Sequence, residues 1–253
     1  MLDWQPELYG RFETERTVPA ADLLARVQLA SPGYVVDLGC GSGNSTELLT
    51  ERFPGAAVLG VDTSPAILEA ARGRLPDCIF ERADIAQWIP DAAPELIFAN
   101  AALQWVPDHA TLMPRLASLL APGGVLAVQM PDNLDAVSHQ AMHQSWQDAG
   151  FEATVPQRAS LLAAERYYEL LAPLARVEVW RTTYFHPMRS IGAVTEWLRA
   201  TGLRPFLAQL DNAQQDYFLS LYESRLAAAL PRLSDGRHLL AFPRLFLIAQ
   251  HHR

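Results

Sequence analysis

Lysine is absent from the 253 residues, so all 20 basic side chains are arginine. With it goes the amine that a Schiff-base enzyme needs and the cation that reaches the phosphates of a P-loop, which excludes both classes. Cysteine is scarce: Cys40 and Cys78 are too few and too isolated for a cysteine-built zinc site or a disulfide framework, and they suit a reducing compartment. Positive charge is in the minority, 20 basic against 28 acidic residues, for a formal net charge of −8 and a pI near 5.3. Phosphate recognition rests on clustered cations, so a broad nucleic-acid or anionic-membrane face is not expected. No run approaches the roughly 18 apolar residues of a membrane helix. The opening MLDWQPELYG carries Asp3 and Glu7 where a signal peptide carries basic residues. The expected location is cytoplasmic.

Half of the residues are apolar and 19% charged, which suits one large globular domain or a domain with a smaller lobe. Short apolar runs alternate with helical stretches from residue 34 onward: strands at 34–38, 57–61, 78–83, 95–99 and 124–130, helices at 45–53, 65–74 and 110–120. Such alternation implies parallel βαβ units. VVDL, VLGV, LIFA and VLAVQM are apolar at consecutive positions, as in strands covered on both faces. The expected fold is therefore α/β, a doubly wound, mostly parallel, Rossmann-like sheet. A helix over 19–27, with Pro19 in an early position, precedes it. After 132 the pattern turns mainly helical apart from a strand at 177–185, and a last strand covers 244–250. The expected division is a lead-in and helix over 1–30, a core over 31–135, a helical cap over 136–240 and a returning strand within 241–253.

Residues 35–46, VVDLGCGSGNST, form a strand, a glycine turn and a helix start. Gly39, Gly41 and Gly43 let the backbone bend sharply and approach a ligand without an intervening Cβ. A dinucleotide fingerprint wants its third glycine at position 44, which is Asn. Asp37, just before the first glycine, would repel a pyrophosphate and hold an ammonium; alternatively it tethers the turn. S-adenosyl-L-methionine carries both an ammonium and a sulfonium. Asp62 ends the second strand, where a carboxylate can accept from ribose hydroxyls. Asp84 follows the third strand, placed to accept from an adenine amino group with Ile85 against the ring, and Asn100 ends the fourth. All these positions fall at carboxyl ends of strands, where open α/β sheets bind ligands.

VVDLGCGSGNST, VLGVDTSP, ADIAQW, LIFANAALQWVPD and LAPGGVLAVQMPDN together resemble the successive motifs of the class I S-adenosylmethionine-dependent methyltransferases. The segments DWQPELYGRFETER, VEVWRTTYFH, TGLRPFL and LLAFPRLFLIA are similar to the branch of that family that esterifies a carboxylate of a small tricarboxylic acid. The resemblance implies S-adenosyl-L-methionine as cofactor, held by Asp37, Gly39, Gly41, Gly43, Asp62, Asp84, Ile85 and Asn100. It also implies Arg181 and Arg204 on the acid's other carboxylates, with Tyr9 and Trp105 as walls; the alternative for each arginine is a surface ion pair.

A carboxylate nucleophile has a pKa near 4 and is ionised at neutral pH, so no catalytic base is expected. A hydroxyl or amine acceptor would need one, and His109 and His186 are the neutral candidates. A non-catalytic nucleoside-binding module and an NAD-dependent oxidoreductase are the competing classes. No metal site is expected: His139 and His143 share a helix face without a third ligand, and that face reads as solvated. Cys40 reads as a small apolar residue, and Trp88, Trp146, Trp180 and Trp197 as packing.

Overall fold

The computed structural model describes residues 13–152, 154, 159–199 and 201–252, with side chains from Thr17 onward. Helix α1 spans Glu13–Ala25, and β1 (Tyr34–Leu38) follows it. Then come α2 (Asn44–Arg52), β2 (Ala57–Asp62), α3 (Pro65–Arg74), β3 (Ile79–Arg82) and β4 (Leu96–Asn100). A 3-10 turn (Leu103–Trp105) leads into α4 (His109–Ser118) and β5 (Val125–Pro131). The remainder comprises α5 (Val137–Asp148), α6 (Ala164–Leu171), β6 (Ala175–Met188), α7 (Ile191–Arg199), α8 (Arg204–Leu207), α9 (Asn212–Ala229) and β7 (His238–His251).

The seven strands form one sheet in the order β3-β2-β1-β4-β5-β7-β6. The pairs β1–β2, β1–β4, β2–β3 and β4–β5 are parallel. The order reverses beside β1, so the crevice between the carboxyl ends of β1 and β4 is the switch point at which doubly wound sheets bind ligands. The apolar runs explain the central strands: Val35 and Val36 in β1 and Leu96 to Ala99 in β4 are fully buried.

By contacts the chain divides into two units. One holds 13–131, 159–182 and 245–252 of the described residues, and its core joins Val36, Ile97, Leu116 and Leu126 to Tyr167, Leu171 and Leu245. The other holds 132–152, 154, 183–199 and 201–244, around Trp146, Trp197, Phe206, Phe218 and Tyr222. The divisions fall within β6 and β7.

Three expectations need correcting. The segment 159–182, assigned from sequence to the cap, clusters with the parallel strands because Tyr167, Leu171 and Ala175 are in their core. Pro19 lies inside α1, since that helix starts at Glu13. Burial of Ala20, Leu23 and Leu24 holds the helix despite the missing N–H. His139 is buried, not solvated: its Nε2 lies 2.9 Å from where a Cβ on Gly202 would stand. Trp146 and Trp197 are core residues, Trp88 is buried, and Trp180 stacks on Phe246 with centroids 5.0 Å apart.

Candidate active site

The turn after β1 is clipped to the end of β2, where the Val61 carbonyl accepts from the Gly39 and Cys40 amides at 2.7 and 3.0 Å. Gly39, Gly41 and Gly43 have φ of 73, 54 and 92°, a left-handed region that disfavours any side chain. A Cβ on Gly39 would stand 2.2 Å from the Ala102 Cβ and 3.7 Å from Ile85 Cδ1. The glycine is thus required by close approach of the segments following β4 and β3. A Cβ on Gly41 would meet nothing within 4 Å, so its outer side is open for a ligand to lie on the backbone.

Asp37 is fully buried. Its Oδ2 accepts from the hydroxyls of Ser45 and Thr46, both at 2.7 Å, which ties the start of α2 to β1. Its Oδ1 is buried without a hydrogen-bond partner. Burial pushes the carboxyl up to about 6, the two hydroxyls pull it down, and the nearby Asp62 carboxylate raises it. A buried acceptor lacking a donor, in an acid that a cation would ionise, fits an ammonium group.

Asp62 accepts from the Gly41 amide at 3.2 Å and, through its other oxygen, from the Ser64 amide at 3.0 Å. Asp84 is exposed, its Oδ1 accepting from the Ala86 amide at 2.9 Å. Ile85 beside it is buried. Arg115 on α4 donates to the Trp88 and Ile85 carbonyls at 2.7 and 2.5 Å, fixing this stretch, a role with no sequence signal because the partners are about a helix and a strand apart. Asn100 ends β4 opposite Gln129, and its Oδ1 is buried with no hydrogen-bond partner. The turn glycines, Ile85 and the segment after Asn100 are thus brought together around one crevice.

Trp105, 55% exposed, closes the 3-10 turn after β4. Arg181 is exposed on β6, and Arg204 opens α8 in the other unit. Tyr9 lies outside the described residues. His109 is buried with both ring nitrogens engaged, Nδ1 with the Tyr167 hydroxyl at 2.5 Å and Nε2 with the Leu103 carbonyl at 2.8 Å. It has no lone pair left for an acceptor's proton. Burial, with Asp37 and Asp62 nearby, pushes the Cys40 thiol far above its ordinary range, so it remains un-ionised and inert.

A parallel doubly wound sheet with a D-x-G-x-G-x-G turn at its switch point defines the methyltransferase class, and a family profile described as a methyltransferase domain matches residues 12–204. Phosphoethanolamine N-methyltransferase 2 of Haemonchus contortus, solved with S-adenosyl-L-methionine, shares the fold at TM-score 0.57 and 19% identity, over 93% of this chain and 53% of that one. The YcgJ protein of Bacillus subtilis does so at TM-score 0.61 and 10% identity, over 92% and 98%. Relatives in sequence are far nearer. The trans-aconitate 2-methyltransferase of Yersinia pseudotuberculosis serotype O:1b (strain IP 31758) is 55% identical over 258 residues, all of both chains. That of Acidovorax ebreus (strain TPSY) is 55% identical over 99% of each. The chain belongs to the trans-aconitate 2-methyltransferase family.

Proposed function

We propose that this protein transfers the methyl group of S-adenosyl-L-methionine to a carboxylate oxygen of trans-aconitate, giving a monomethyl ester and S-adenosyl-L-homocysteine. The observation that carries this reading is 55% identity over the whole length of trans-aconitate 2-methyltransferases. The cofactor supplies an electrophilic methyl on a sulfonium; the carboxylate oxygen forms the new C–O bond, and the C–S electron pair stays on sulfur.

The chain's own task is to hold the two reactants in line. Asp37 Oδ1 and Asn100 Oδ1 are the buried acceptors available to the methionyl ammonium, Asp62 takes the ribose hydroxyls, and the open face of Gly41 lets the ligand rest on the backbone. Asp84 and Ile85 take the adenine. A carboxylate needs no base, which agrees with a buried His109 that has none to offer. In a chain without lysine, the acid's other carboxylates must be met by arginine, whose planar fork binds them in pairs of hydrogen bonds. Arg181 and Arg204 are assigned that role, with Tyr9 and Trp105 as walls.

The assigned compartment is the cytoplasm, in keeping with two free cysteines; among the described residues no helix is long and apolar enough to cross a membrane. No nucleic-acid partner is assigned, given the charge of −8. The test is incubation with methyl-labelled S-adenosyl-L-methionine and trans-aconitate. Label that enters the acid and leaves on mild base supports an ester; label stable to base, or none in the acid, overturns it.

A further inference from the structure

We infer that His109 and Tyr167 are positioning residues for methyl transfer: through the Leu103 carbonyl they fix the segment 100–105, the wall of the crevice facing the glycine turn. The inference rests on the reading of that crevice as the methyl-transfer site.

The hydrogen-bond chemistry is directional. A carbonyl can only accept, so the His109 Nε2 that meets the Leu103 oxygen at 2.8 Å carries the ring hydrogen. Nδ1 is then the acceptor, and the Tyr167 hydroxyl donates to it at 2.5 Å. The Tyr167 oxygen in turn accepts from the Leu162 amide at 3.3 Å. One polarised chain therefore runs from the loop before α6, through a fully buried tyrosine and a buried imidazole, to the residue that opens the 3-10 turn. Buried polar groups in such a chain are satisfied only in one arrangement, and each fixes the next.

The segment it holds is set by more than packing. Ala101 and Asp108, which bracket the turn, both have φ of 53°, a conformation that non-glycine residues keep only when their surroundings impose it. Ala101 is tied on both sides, its amide donating to the Gln129 carbonyl at 2.9 Å and its carbonyl accepting from Gln104 Nε2 at 2.6 Å. A cavity of about 160 Å³ is lined by Gln104, Val106, His109 and Ser160 among others. Leu103 is itself fully buried in the core, so packing and the hydrogen bonds hold the turn together. The inner side is where precision matters, because Ala102 abuts Gly39. Asn100 and Trp105, assigned to cofactor and acid, flank it.

The experiment compares His109→Gln, whose amide nitrogen can reach the Nε2 position, with His109→Asn, whose amide falls short, and adds Tyr167→Phe alone and combined with His109→Asn. Two readouts are taken: kcat and the KM values for methyl transfer to trans-aconitate, and hydrogen exchange of peptides covering 100–106. His109→Asn is expected to lower kcat roughly tenfold to a hundredfold, the scale of a small misplacement of reactants. The KM for S-adenosyl-L-methionine should move much less, and exchange should quicken in 100–106 and not across β1, β2 or β5. His109→Gln should restore most of both. The double variant should be no worse than His109→Asn, because Tyr167 acts through His109. Unchanged exchange in 100–106 for His109→Asn overturns the inference whatever the activity, as does equal damage by Asn and Gln or faster exchange everywhere. A wild type that forms no ester while His109→Asn still loosens 100–106 and His109→Gln does not would instead overturn the acid assignment and leave the positioning role standing.

Discussion

The Gly41 amide donates to the Asp62 carboxylate at 3.2 Å, so the residue assigned to the ribose also braces the turn assigned to the methionyl end of the same ligand. Asp62→Ala removes both supports. Loss of hydrogen bonds to a charged acceptor costs about 1–3 kcal/mol, so the Kd for S-adenosyl-L-homocysteine should rise by a factor of roughly five to a hundred and fifty. Calorimetric titration checks this; an unchanged Kd removes Asp62 from the binding site.

Gly39 and Gly41 separate folding from binding. Gly39→Ala sets a Cβ against Ala102 in a left-handed conformation and should destabilise the protein outright. Gly41→Ala meets open space, so its cost to stability should be only the left-handed penalty of about 1–2 kcal/mol. The ligand is expected to lie over that space, so cofactor affinity should fall far more than the melting temperature. A Gly41→Ala protein that binds normally places the ligand elsewhere.

Asp37 gives the site a pH dependence. Its folded carboxyl titrates at about 6, above the unfolded value near 4. Its contribution to the stability of the ligand-free protein is therefore fully present below about pH 4 and is lost as pH rises to about 6. An ammonium beside it favours the ionised form, so S-adenosyl-L-methionine should bind more tightly from pH 5 to pH 7 and displace a proton at the lower end. Titrations in two buffers of different ionisation enthalpy read that proton, and Asp37→Asn should abolish the trend. Binding that tightens on acidification assigns Asp37 to tethering α2 alone.

Much of this was legible in local sequence. Tyr34–Leu38 and Pro65–Arg74 are recovered to the residue, because an apolar run bounded by turns and a proline at a helix start are local signals. The two long last strands were not: β6 spans Ala175–Met188 and β7 spans His238–His251, beyond the expected 177–185 and 244–250. Arg176 and Pro187 in β6, and His238 and Pro243 in β7, lie in the missed ends and interrupt the apolar runs that mark those strands. The glycine turn and the acids at the strand ends announce themselves by spacing. The His109–Tyr167 pair and the Arg115 clasp do not, because tertiary folding joins residues far apart in the chain. Burial of His139 depends likewise on Gly202, which no helical period reveals.

Arg181 and Arg204 are assigned to the acid and not to the cofactor. Arg204→Ala and Arg181→Ala should each raise the KM for trans-aconitate, by roughly tenfold or more for loss of a charge-assisted hydrogen bond, with cofactor Kd nearly unchanged. Equal damage to both parameters makes the arginine structural.

The most direct test is the kcat/KM for methyl transfer to trans-aconitate, set beside cis-aconitate, citrate, isocitrate and a panel of small hydroxyl and amine acceptors. Trans-aconitate should lead, with a base-labile monomethyl ester as the product. A higher kcat/KM for a hydroxyl or amine acceptor, with base-stable label, would contradict the account.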